Sequence, residues 1–111
     1  MAPRDIPGEF EQVVLLAILR CGDEAFAMEI LGELEGTAER SVSRGALYRT
    51  LDRMEAKGWV QWRTEASTPE RGGHRRRRFE VTSDGLTVLR NARTTLHRLW
   101  DGLEPTLGKV K

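Results

Sequence analysis

The chain has 111 residues, with 18 Lys and Arg against 17 Asp and Glu, one Cys and a formal net charge of +1. That length accommodates one compact core but no second domain of ordinary size, and the lone Cys21 excludes an intramolecular disulfide framework, so a reducing, cytoplasmic setting is expected. Pro3, Asp5, Pro7 and Glu9 stand where a signal peptide would need basic and apolar segments, and the apolar run Val13 to Leu19 falls far short of the roughly 20 residues of a membrane span, so no membrane partner is expected.

The first element is a helix over Pro7 to Arg20, with Phe10, Val13, Val14, Ala17 and Ile18 at helical spacing. Leu15, Leu16 and Leu19 add a second apolar side, and a helix apolar nearly all round needs burial on two fronts. The core supplies one, and a second copy of the chain is the expected source of the other. Phe10, Val14, Leu15 and Ile18 are the residues assigned to that contact.

Cys21-Gly22-Asp23 reads as a stop and turn, followed by a second helix over Ala25 to Glu35 that Gly36 ends. Phe26, Ile30, Leu31 and Leu34 face inward on it. The third helix opens at Ser43, with Ser41 as a competing N-cap, and runs to Gly58. Leu47, Leu51 and Met54 form its buried stripe, while Arg44, Tyr48, Arg49, Asp52 and Arg53 point elsewhere.

After Gly58 the periodicity alternates. Trp59 to Thr64 and Arg76 to Val81 have strand composition, with Phe79 and Val81 on one face, and Thr68 to Gly73 supplies a long, Gly-containing hairpin loop. Alternation also splits the basic run into Arg75/Arg77 and Arg76/Arg78 on opposite faces. Thr82 or Ser83 caps a last helix, on which Leu89, Ala92, Leu96, Leu99 and Leu103 make a heptad seam. The expected domain plan is an arm at 1–8, a unit of three helices and a hairpin at 9–82, a dimerisation helix at 83–105 and a flexible tail at 106–111.

The near-zero net charge is a cancellation. Residues 1–39 hold two bases and nine acids, for −7; residues 40–78 hold eleven bases and four acids, for +7; the remainder carries +1. The positive stretch therefore coincides with the third helix and the hairpin. Three helices and a hairpin in this order predict a mainly α fold with a small β-hairpin, a winged helix-turn-helix plus a C-terminal dimerisation helix. An α-helix fits the major groove of B-DNA, about 12 Å wide, and its N-terminal residues reach base edges. The residues expected to contact double-stranded DNA are Ser43, Arg44, Gly45, Tyr48, Arg49 and Arg53 on the helix, and Arg71, Gly72, Gly73, His74, Arg75 and Arg76 on the wing. The acidic first third would keep the far side of the domain off the phosphates.

Glu9-Phe10 with the apolar run after it, Ser43-Arg44-Gly45-Ala46-Leu47-Tyr48, Leu51-Asp52-Arg53-Met54-Glu55, Lys57-Gly58 and Pro69-Glu70-Arg71-Gly72-Gly73, with Gly85 after Thr82, together resemble the PadR family of bacterial transcriptional regulators. The resemblance spans about residues 9 to 103. It implies a homodimer that binds a pseudo-palindromic operator, usually as a repressor, with the first and last helices building the dimer. Phe26-Ala27 departs from the family's aromatic-Gly pair, and Trp59 replaces a smaller aliphatic, which leaves core and surface both open for its ring.

Leu89, Leu96, Leu99, Trp100 and Leu103 are the expected interface residues on the last helix. In some short relatives an aromatic on this helix lines a pocket for flat hydrophobic molecules, so Trp100 is also a candidate for contact with a small aromatic effector; interface packing is the alternative. Cys21 is expected to be a small buried hydrophobe rather than a redox sensor. His74 and His97 are isolated, no phosphate-binding loop or nucleophile motif is present, and neither a metal, a cofactor nor enzymatic chemistry is expected. The rival reading is a winged-helix module for protein contact, which would not need positive charge on both the third helix and the wing, or for single-stranded RNA, which would need exposed aromatics among its bases where only Tyr48, Trp59, Trp62 and Phe79 are available, most of them better used in the core.

Overall fold

The computed structural model describes residues 6–65 and 75–107. Helix α1 spans Glu9–Cys21 and leads through a 3-10 turn, Gly22–Glu24, to α2 at Ala27–Gly36 and α3 at Arg44–Ala56. Strands β1 (Val60–Glu65) and β2 (Arg76–Val81) form an antiparallel hairpin that pairs Val60 with Val81, Trp62 with Phe79 and Thr64 with Arg77. Helix α4 covers Ser83–Trp100, and a single turn, α5, covers Glu104–Leu107. The mainly helical fold with one small hairpin is the one the sequence predicts.

Helices α1, α3 and α4 start where the sequence supplies side-chain partners for the unpaired amides at the helix start. Glu11 accepts the Gly8 N–H at 2.8 Å, Ser43 Oγ accepts that of Ala46 at 3.1 Å, and Thr82 Oγ1 accepts that of Gly85 at 3.0 Å. Thr82 also donates to the Gly58 carbonyl at 2.6 Å, joining the end of α3 to the start of α4. Gly58 itself stops α3 with φ at 81°, a left-handed conformation that a Cβ would strain.

The core is formed by Val14, Leu15 and Ile18 of α1, Ile30 and Leu34 of α2, Leu47, Leu51 and Met54 of α3, then Trp59, Val60 and Phe79. Burying each large aliphatic contributes about 1.5–3 kcal/mol relative to leaving it in water. Trp59 belongs to this core, with Lys57 Nζ 4.6 Å from its ring centre. The hairpin is fastened to the helices by a hydrogen bond of 2.9 Å from the Phe79 N–H to the Ala25 carbonyl.

Two parts of the expected partner-facing surface are corrected. Val14, Leu15 and Ile18 are 0%, 0% and 2% exposed within the single chain, because α1 lies against α2, α3, β2 and α4 at once. The outward residues of α1 are Leu16 and Leu19, while Phe10 is half-buried against the core. The heptad seam also does not run in one helix to Leu103. Asp101 and Gly102, with φ at 81° for Gly102, break α4, and α5 takes in Thr106 and Leu107, which the sequence assigned to a tail. Pro105 is tolerated because it sits in the first turn of α5, where its missing N–H is not needed.

Candidate nucleic-acid interface

Helix α3 begins at Arg44 with no acid in its first turn, whereas α1, α2 and α4 carry Glu9 and Glu11, Glu29, and Asp84 there. Acids at those three starts complement the positive end of the helix dipole; the start of α3 leaves that end open to an external anion. Ser43, Arg44, Gly45 and Arg49 are exposed on its outer side, and Tyr48 is half-buried at its edge. Gly45 and Arg49 lie one turn apart, so that a Cβ on Gly45 would meet an Arg49 guanidinium nitrogen at 3.4 Å. Arg44 and Arg49 enter no ion pair among the described residues.

Arg53 is held differently. It lies 3.8 Å from the Glu11 carboxylate and donates to Thr50 Oγ1 at 3.3 Å, rather than pairing with its neighbours Asp52 or Glu55. Glu11 also receives Lys57 Nζ at 3.2 Å and is itself buried, so one carboxylate of α1 gathers two cations from the far end of α3.

On the hairpin, the alternation predicted for the basic run is present, and the two faces have different surroundings. Arg76 stacks on Phe26 at 3.6 Å and lies 3.9 Å from Glu29, and Arg78 pairs with Glu65 at 2.7 Å and reaches Asp23 at 3.8 Å. Both are turned toward α2 and the turn before it. Arg75 and Arg77 are exposed on the opposite face, the one that carries Phe79, Trp62 and the approach to Tyr48. Arg76, named among the expected DNA contacts, is thus largely satisfied within the chain, whereas Arg77, of the pair on the other face, is exposed beside α3. The signal that could have selected Arg77 was its shared face with Phe79, which must be the face turned toward α3. Arg71, Gly72, Gly73 and His74 lie outside the described residues.

The remaining expected residues fall on α4 and beyond. Leu89 is half-buried beneath the start of the helix, and Leu96, Leu99, Trp100 and Leu103 are exposed. Leu16, Leu86, Leu89, Leu96 and Trp100 line a groove of about 820 Å³ between α1 and α4, with Arg90, Arg93 and His97 among its polar lining. Cys21 is half-buried, and burial followed by the nearby Glu33 and Glu29 carboxylates pushes its thiol above the usual range, which lowers its thiolate content and its reactivity. Among the described residues, no helix is long and apolar enough to cross a membrane.

A family model described as the transcriptional regulator PadR-like family matches residues 15–91. No curated protein matches the chain significantly. Among solved structures, a PadR-like transcriptional regulator from Bacillus cereus superposes with a TM-score of 0.69 at 22% identity, covering 88% of this chain and 90% of that one. A PadR family transcription regulator from Clostridium difficile gives 0.64 at 23% identity, covering 88% and 98%. A putative transcriptional regulator from Thermoplasma acidophilum gives 0.66 at 16% identity, covering 89% and 93%. At these identities the superpositions establish the fold. The family model spans most of the chain, from the middle of α1 through α2, α3 and the hairpin to the first half of α4. The chain therefore belongs to the PadR-like family, and it is a transcriptional regulator rather than an enzyme.

Proposed function

We propose that the chain is a cytoplasmic repressor that binds a pseudo-palindromic operator as a homodimer, each protomer placing the N-terminal half of α3 in a major groove and the hairpin on the flanking backbone. The observation that carries this reading is the outer face of α3. It combines an acid-free helix start with Arg44 and Arg49, two guanidinium groups that no acid neutralises among the described residues. Arg can make bidentate contacts with guanine edges, Tyr48 adds a hydroxyl, and Ser43 and Gly45 leave room for the backbone to approach. The homodimer is supported by the apolar side that α1 and α4 leave uncovered: Leu16, Leu19, Leu86, Leu96, Leu99 and Trp100 are too many large side chains for an isolated chain to leave in water without reason.

Selection of binding sites from a random duplex pool, followed by competition against a scrambled duplex, tests the reading. An enriched inverted repeat that outcompetes the scrambled duplex by at least about 1000-fold is expected of a specific regulator. Equal affinity for both would leave a module for protein contact.

The groove between α1 and α4 favours a second, compatible reading. Its leucines and Trp100 suit a flat hydrophobic effector whose binding at the dimer interface would alter operator affinity.

A further inference from the structure

Arg77 has surroundings that set it apart from the other arginines of its strand. Its guanidinium carbon lies 4.3 Å from the centre of the Trp62 ring and 6.0 Å from that of Tyr48. Tyr48 in turn meets Phe79 edge to face, with 6.4 Å between ring centres and 62° between planes. Phe79 is buried in the core. A continuous series therefore runs from the core through Phe79 and Tyr48, the latter on α3, to an exposed cation on the wing strand. The β1–β2 register explains the arrangement. Trp62 is directly opposite Phe79, and Arg77 is opposite Thr64 two residues further out on the same face, so the indole and the guanidinium are diagonal neighbours.

Stacking satisfies the face of a guanidinium but leaves its N–H groups, which lie in the plane, free to donate. It also confines a long side chain that would otherwise lose rotamer freedom on meeting a ligand. Arg76 and Arg78 of the same strand are held against acids on the other face; Arg77 joins no ion pair among the described residues. A charged, immobilised, multiply donating group next to α3 suits a phosphodiester.

We propose that Arg77 is a DNA phosphate contact made by the strand of the wing rather than by its loop, and that Trp62 is the positioning residue that holds it beside Tyr48. The proposal rests on the reading of the chain as a DNA-binding regulator. It makes the base of the wing and the recognition helix one rigid surface, so that the phosphate touched by Arg77 adjoins the groove that α3 enters.

Operator affinity as a function of salt separates the roles, with wild type, Arg77→Gln, Trp62→Leu, Trp62→Phe and the Arg77→Gln/Trp62→Leu pair, each first checked by thermal unfolding. Arg77→Gln should weaken binding about eightfold at 0.1 M salt and reduce the slope of log K against log salt by about 0.9, the contribution of one neutralised phosphate. Trp62→Leu should weaken binding while leaving the slope near that of wild type, since the charge remains. It should have no further effect once Arg77 is Gln, and Trp62→Phe should retain wild-type affinity. An unchanged slope in Arg77→Gln, whose exposed position makes it safe for folding, overturns the proposal without disturbing operator binding. Equal losses from Trp62→Leu with and without Arg77 would reduce Trp62 to a structural role and overturn its part. Absence of operator binding by wild type would remove the underlying reading, and the proposal with it.

Discussion

Gly85 shows how a single residue can fix the relation of two elements. A Cβ built there would lie 2.2 Å from the Trp59 carbonyl oxygen and 2.8 Å from Val81 Cγ1, so the first turn of α4 rests directly on the backbone at the start of β1. Gly85→Ala should destabilise the chain by about 1–3 kcal/mol in urea unfolding, the cost of forcing backbone and side chains apart; a change within 0.5 kcal/mol, roughly the level of neutral surface substitutions, would contradict the packing. At the outer face of α3, Arg49→Ala should weaken operator binding by about 1–3 kcal/mol and relax sequence preference at one position, while unfolding stability stays unchanged. Equal losses on operator and random DNA would instead identify a phosphate contact. Several single residues were legible in the sequence: Ser43 as the cap, Leu47, Leu51 and Met54 as the buried stripe, and Arg44 and Arg49 as outward cations. Trp59 was not, because a large aromatic after a helix stop fits a core or a surface equally well until the neighbouring Gly85 and Phe79 are located in space.

At the scale of elements, the central tie is between α1 and α3. Glu11 accepts from Gly8 within α1 and holds Lys57 and Arg53 of the α3 end, and Glu9 pairs with Arg40 just before α3. The orientation of α3 is therefore tied to charges carried by the helix that also lines the α1–α4 groove. Glu11→Gln should cost about 1.5–3 kcal/mol in unfolding free energy, the worth of a hydrogen bond to a charged group. A loss below 0.5 kcal/mol would mean that desolvation of the carboxylate offsets the pair completely. Helix and strand boundaries were largely legible, since their caps, stops and changes of period are local. Burial of α1 was not. Apolar residues on two sides of a helix indicate two contacts, but only the tertiary arrangement shows that Val14, Leu15 and Ile18 all meet the chain's own elements and that Leu16 and Leu19 are the apolar residues left exposed. The break at Gly102 was likewise obscured by the unbroken leucine spacing on either side of it.

Across the whole molecule, folding sorts the charges that the sequence merely segregates. Acids of the first third neutralise a particular set of bases: Glu9 takes Arg40, Glu11 takes Arg53 and Lys57, Glu29 takes Arg76, and Asp23 adds to Arg78. Arg44, Arg49, Arg75 and Arg77 are left without such partners among the described residues, and they lie on α3 and on the wing face turned toward it. Pairing with the acidic third thus leaves these four cations uncompensated on one surface, apart from the arginines of α4. The chain is also extended, with a radius of gyration of 16.3 Å against about 13 Å for a compact domain of this size, because the second half of α4 projects from the core. Its exposed Leu96, Leu99 and Trp100 predict that Leu96→Asp sediments as a monomer and loses cooperative operator binding; a variant that remains dimeric would place the interface elsewhere.

The most direct measurement is a hydroxyl-radical footprint of the selected duplex. Two symmetric protected half-sites with centres about 34–36 Å apart, or a multiple of that spacing, are predicted for two α3 helices related by a two-fold axis, each flanked by backbone protection from a wing. Uniform protection without symmetry, or none at all, would contradict the account.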